Sequence, residues 1–156
     1  MIEINIPGDR KLQLKYLVLD YNGTIAFDGS LIAGVKENLE ALADKHQIHI
    51  LTADTFGKAR SGHEGSNCRI SILAPEAQDI GKLEYVKRLG ADNTVCVGNG
   101  RNDQLMLKEA ALGIALILEE GAATPTLSAA DIVSTNIVSA LELLTNPLRL
   151  IATLRT

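Results

Sequence analysis

The strongest constraint on the fold is a repeating alternation. Short apolar runs, each stopping at a polar or glycine-rich turn, are separated by stretches with helical spacing. Tyr16–Leu19 is a compact run that ends at Asp20, and Ile48–Leu51 is another that ends at Thr52. Arg69–Leu73, Thr94–Val97, Gly113–Leu118 and Asp131–Val133 read as further strands. Between them, Ala33–Lys45 places Val35, Leu39 and Leu42 on one helical face. Ala77–Leu89 is a firm helix closed by Gly90, a second helix runs from Asn102 to Ala111, and Ile137–Leu144 is a late one. Gly57–Gly65 reads as a weak helix or a loop. At the start, Ile2–Asn5 and Lys11–Leu14 flank Pro7-Gly8-Asp9 and suggest a small hairpin. Strands alternating with helices imply an α/β, Rossmann-like three-layer sandwich with a mostly parallel sheet.

Composition agrees with that class. Apolar residues are 46% of the 156 and aromatics only 3%. The core must therefore be Leu, Ile, Val and Ala, as in helices packed on a buried parallel sheet. The length suits one domain over 1–156, and no linker, repeat or low-complexity segment divides it. A net charge of -4 without a long basic run argues against a nucleic-acid surface. No apolar stretch reaches membrane length, and no signal pattern opens the chain. Cys68 and Cys96 lack metal-ligand or CxxC spacing, so a reduced, cytoplasmic protein is expected. His46 and His49 have no third ligand beside them, and the apolar tail Pro147–Leu154 fits core packing or a homo-oligomer contact.

In parallel sheets ligands bind beyond the carboxyl ends of the strands, near the switch in strand order. Asp20, Thr52 and the loop Gly98–Asp103 all fall on that edge. Alone, Asp20 would pass as a turn residue. Beside Asn22, Gly23 and Thr24 its carboxylate meets backbone amides that can hold a phosphate, and aspartate is an established nucleophile for phosphoryl transfer. Thr52 can hydrogen-bond a phosphoryl oxygen, and Lys82, with Lys87 as a rival, can neutralise phosphate charge. The glycines of Gly98-Asn99-Gly100 let backbone approach an anion or metal. In that loop Asp103 offers a hard oxygen for Mg2+ and Asn99 a carbonyl.

Together YLVLDYNGT, LTADT, GKLEYVKRLG and VCVGNGRND resemble the four-part signature of the haloacid dehalogenase (HAD) superfamily. The segment ALGIALILEEGAATPTLSAADIVSTNIVSALELL is similar to the end of the phosphorylation domain of P-type ATPases, so the likeness spans about Tyr16–Leu144. The resemblance implies that Asp20 forms an aspartyl-phosphate. It implies Mg2+ held by Asp20, Asp103 and the carbonyl of Asn22, with Asn99 alongside. Thr52 and Lys82 would bind the phosphoryl group, Lys82 also orienting Asp20. Only Ile25–Leu31 separates the nucleophile turn from the first helix, room for a short flap and not for the cap domain that many relatives carry.

Two positions depart from the pattern. Family phosphatases place an acid–base Asp where this chain has Asn22, and an amide cannot relay a proton. Related ATPases carry Asp at the place of Asn99. The expectation is a slow phosphohydrolase acting on a small phosphorylated substrate or phosphoprotein. The alternative is a phosphate- or metal-responsive regulatory protein with little turnover.

Overall fold

The computed structural model describes residues 1–53 and 68–156. The segment expected at Gly57–Gly65 lies outside the described residues. Among the described residues six parallel strands form the central sheet: β3 (Tyr16–Asp20), β6 (Gln47–Thr52), β7 (Cys68–Ile72), β8 (Thr94–Gly98), β9 (Leu112–Leu116) and β10 (Ile132–Ser134), in the order β10-β9-β8-β3-β6-β7. The antiparallel pair β1 (Ile2–Asn5) and β2 (Lys11–Leu14) is the leading hairpin, set by the pairing of Ile4 with Leu12.

β3 is central and buried on both faces, which explains why its run is continuously apolar. Leu17 and Leu19 point to one face and Val18 to the other. On the first face they meet α1 (Val35–Ala43) and α5 (Ile137–Thr145) through Leu39, Leu42, Leu141 and Leu144. On the second, Val18 and Cys96 meet Val86 of α2 (Gln78–Leu89) and Met106 of α3 (Gln104–Glu109). Core side chains are almost wholly aliphatic, as the composition required; among the described residues Tyr21 is the largest fully buried one.

From β3 the chain winds outward to β6 and β7, then returns to β8 on the other side of β3. The strand order therefore reverses between β3 and β8. Register places Asp20 opposite Leu51 and Leu19 opposite Val97, so Asp20, Thr52 and Gly98 end their strands together at that reversal. Between Asp20 and α1 the chain forms a small antiparallel hairpin, β4 (Ala26–Phe27) and β5 (Ser30–Leu31). Asp28 and Gly29 both have φ near +50 to +80° there, the backbone of a tight two-residue hairpin turn.

One helix boundary differs from the sequence expectation, one helix is additional, and the apolar tail takes a definite form. The helix expected from Asn102 begins at Gln104, because Arg101–Asp103 is wound into a tighter 3-10 turn. The Asp103 carboxylate accepts from the amides of Asn99 and Gly100 and draws that turn closed. A short helix, α4 (Thr124–Ala129), has no counterpart in the apolar periodicity; Pro125 in its first turn is its local signal. The tail forms α6 (Pro147–Leu154), bent 102° from α5, with Leu150 buried and Leu148 exposed. Among the described residues no single helix is long and apolar enough to cross a membrane.

Candidate active site

Three charged side chains meet beneath the carboxyl edge of the sheet. Lys82 Nζ donates to Asp20 Oδ1 at 2.6 Å and to Asp103 Oδ1 at 2.5 Å. Lys82 is 1% exposed and Asp103 0%. Helical phase selects Lys82 over its rival: Lys82 and Val86, one turn apart, form the buried stripe of α2, whereas Lys87 is exposed. Gly98 makes room for the arrangement, because a Cβ there would stand 2.5 Å from the Asp103 carboxyl carbon.

Two carboxylates around one ammonium leave a negative charge uncompensated in a buried place. Burial first, and then Asp103, push the Asp20 carboxyl up to about 7, while Lys82 and the Thr24 hydroxyl pull the other way. Burial alone would lower the Lys82 ammonium, but Asp20 and Asp103 hold it above its ordinary value. Lys82 therefore stays cationic, and the charge on Asp20 responds to what binds nearby.

The turn after Asp20 is folded by its own backbone. The amides of Thr24, Ile25 and Ala26 all donate to the Tyr21 carbonyl, and Gly23 donates to Ala26. Gly23 has φ +76°, the left-handed region that glycine enters without strain. The Thr24 hydroxyl lies 3.2 Å from Asp20 Oδ2 and 3.4 Å from Asn99 Oδ1, bringing those two oxygens to one donor. Asn99 is oriented by its far side, where Nδ2 donates to the Gly121 carbonyl at 3.1 Å.

Above these groups opens a cavity of about 310 Å³, whose walls include Asp20, Asn22, Thr52, Gln78, Asn99 and Glu120. The geometry thus brings together Asp20, Asn22, Thr52 and Asn99 as cavity lining, with Lys82 behind Asp20. Asn22 is exposed, and its side-chain amide makes no hydrogen bond among the described residues. Asp103, expected at a cation, is not part of the lining. One of its oxygens is taken by Lys82 and the other by two loop amides. Sequence reasoning overlooked Gln78 and Glu120. Gln78 opens α2 and accepts from Asn102 Nδ2 at 2.7 Å, and it could have been found as the first helical residue facing the strand ends. His46 and His49 lie elsewhere, their rings buried at the other end of the sheet and along β6.

The fold has solved counterparts. A HAD-superfamily subfamily IIIA hydrolase of Legionella pneumophila superposes with a TM-score of 0.72 at 17% identity, covering 90% of this chain and 86% of that one. The 3-deoxy-D-manno-octulosonate 8-phosphate phosphatase of Moraxella catarrhalis, solved with magnesium, phosphate and its sugar, gives 0.70 at 17%, covering 90% and 92%. This chain has the HAD-hydrolase fold. A CPx-ATPase catalytic domain is also similar, with a TM-score of 0.58 and 26% identity over 74% of this chain and 46% of that one. By sequence the HAD-fold chain is 43% identical over 83 residues to an uncharacterized protein of Methanocaldococcus jannaschii, covering 51% of this chain and 89% of that protein. A second uncharacterized protein of that organism is 54% identical over 39 residues, 25% of this chain and 89% of its own length. No family profile matches the chain.

Proposed function

We propose that the protein is a Mg2+-dependent phosphohydrolase that works through an aspartyl-phosphate on Asp20, with a small phosphorylated substrate. The observation that carries this reading is the buried Asp20–Lys82–Asp103 cluster opening, through Asp20, onto the cavity at the strand-order reversal. The HAD phosphatases that share the fold support it.

The donor chemistry of the cavity fits magnesium. Asp20 and Asn99 line it, the Asn22 carbonyl lies in the same turn, and among the described residues the lining has no Cys or His. Among the described residues no three His, Cys, Asp or Glu side chains are grouped to hold a metal. That set suits a cation that keeps several waters and takes its remaining oxygens from substrate phosphate. When bound, Mg2+ would supply positive charge beside the phosphoryl oxygens. In this proposal Asp20 and Asn99 face it, with the Asn22 carbonyl. Asp103 acts by fixing Lys82 and the Asn99–Gly100 loop.

In the first step an Asp20 carboxylate oxygen attacks phosphorus. A P–O bond forms and the ester P–O bond breaks, releasing the alcohol oxygen, which takes a proton from water. Lys82 holds Asp20 in line and offsets the charge carried onto the phosphoryl group, and Thr52 sits at the adjacent strand end to donate to a phosphoryl oxygen. In the second step water attacks the aspartyl-phosphate, the acyl-phosphate bond breaks, inorganic phosphate leaves, and Asp20 is regenerated. Both steps need a proton carrier where Asn22 stands, so the reaction is slow and the phospho-enzyme long-lived. The test is hydrolysis of an activated aryl phosphate with Mg2+ or EDTA, for the native protein and Asp20→Asn. Turnover that needs Mg2+ and disappears in Asp20→Asn supports the proposal; equal rates in both proteins refute it.

A further inference from the structure

With Asp103 spent on Lys82 and the loop amides, and with amides at positions 22 and 99, the cavity has among the described residues one carboxylate that nothing yet explains. Glu120 lies on the β9–α4 connection and lines the same cavity as Asp20, Asn22 and Asn99. Its position is given by the close approach over Gly23. A Cβ on Gly23 would stand 2.4 Å from Glu120 Oε2 and 2.7 Å from Asn99 Nδ2. The carboxylate therefore hangs directly over the nucleophile turn, beside the Asn99 amide.

The connection that bears Glu120 is fastened to the Asn99 loop. The Ala123 amide donates to the Asn99 carbonyl at 3.0 Å, Asn99 Nδ2 to the Gly121 carbonyl at 3.1 Å, and the Thr126 hydroxyl to the Gly100 carbonyl at 2.7 Å. Gly121 turns back on Leu118 at 2.9 Å with φ +70°, which sets Glu120 at the tip of the turn. Among the described residues no Lys or Arg pairs with Glu120, and its side chain makes no hydrogen bond. An unpaired carboxylate held over the site by a fastened loop acts on whatever cation enters it.

We infer that Glu120 supplies the negative charge on the Asn99 side of the cavity, so that a divalent cation is drawn between it and Asp20 in spite of the two asparagines. The inference rests on the proposed Mg2+ site and assigns it a carboxylate from outside the four sequence motifs. Glu119 and Glu120 are both exposed at the turn, but Glu119 does not line the cavity and carries no such role.

The test follows Mn2+ binding by the electron paramagnetic resonance of the free ion, in the absence of substrate. Removing one nearby unpaired charge in Glu120→Gln should raise the Mn2+ dissociation constant about tenfold, as expected for a partly solvated charge interaction. Glu119→Gln should leave it unchanged, and Glu120→Gln/Asn99→Asp should return it to the native value or below. Urea unfolding midpoints check that the variants are folded. Native-like binding by Glu120→Gln, or an equal loss in Glu119→Gln, overturns the inference. If Asp20→Asn loses Mn2+ while Glu120→Gln does not, the inference falls and the phosphohydrolase reading stands. If Asp20→Asn binds Mn2+ like the native protein, the cation is not at this cavity and both fall.

Discussion

Lys82→Met is the most informative single perturbation, because it separates the electrostatic argument from the chemistry. Met preserves most of the aliphatic stem and removes the ammonium that contacts Asp20 at 2.6 Å and Asp103 at 2.5 Å. Both carboxylates are nearly or fully out of water, so two buried acidic groups lose their counter-charge at once. Breaking a buried pair by removing one partner costs about 3–5 kcal/mol. That is a large share of the roughly 5–15 kcal/mol by which domains are stable.

The loss should depend on pH in a defined direction. Burial and Asp103 already hold Asp20 up at about 7, and Lys82 is the chief influence pulling it down. Without Lys82 its carboxyl rises further, so the folded variant takes up a proton at a pH where the unfolded chain, with an aspartate near 3.9, does not. A group bound more tightly to its proton in the folded state favours folding as pH falls through its raised value. The deficit of Lys82→Met is therefore greatest near pH 9. It narrows towards pH 7 by up to about 1.4 kcal/mol per unit of pH. Urea unfolding at pH 9, 8 and 7 in EDTA, with Asp20→Asn/Lys82→Met beside it, measures this directly. The double variant lacks one buried charge and should recover part of the loss. A Lys82→Met midpoint equal to the native one at pH 9, or a deficit that does not change with pH, would refute the reasoning.

Asn22 is exposed and its amide is unbonded, so Asn22→Asp inserts a proton carrier without breaking a contact. Steady-state turnover of an aryl phosphate should rise by about a hundredfold or more, the usual worth of a positioned acid–base. Gly23→Ala forces an L side chain to φ +76° and drives its methyl to 2.4 Å from Glu120 Oε2. It should lose about 1–2 kcal/mol in urea unfolding and weaken Mn2+ binding as well. His46 is 3% exposed, and burial pushes its imidazole down to about 4. The unfolded chain takes this proton near 6.5 and the folded one only near 4, so the His46 contribution to stability is full above 6.5 and declines as pH falls between those values. Asp20, held up at about 7, works the opposite way over the same range, so the check is a difference: from pH 7 to pH 5 the native protein should lose on the order of 2 kcal/mol relative to His46→Leu in urea unfolding.

The alternation of apolar runs and helical stretches is a local property, and it was sufficient for the parallel α/β sheet. It also put Asp20, Thr52 and Gly98 at strand ends, because each run stops where its neighbours become polar or glycine. The resemblance to the HAD signature marked Asn22 and Asn99 as amides where related phosphatases or ATPases carry a carboxylate. The fate of Asp103 could not be read the same way. Its carboxylate chooses between a cation, Lys82 and the amides of Asn99 and Gly100, and loop geometry gives it to the last three. Lys82 reaches Asp20 across 62 positions of sequence only because the strand order places α2 over β3 and β8. Glu120 had no sequence signal at all: an acidic residue after an apolar run reads as a solvated turn. Its place over Gly23 depends on the β9–α4 connection being bonded to the Asn99 loop. Strand, helix and turn follow from neighbours along the chain, whereas the energy of a charge depends on what surrounds it in space, and only the assembled sheet supplies those surroundings.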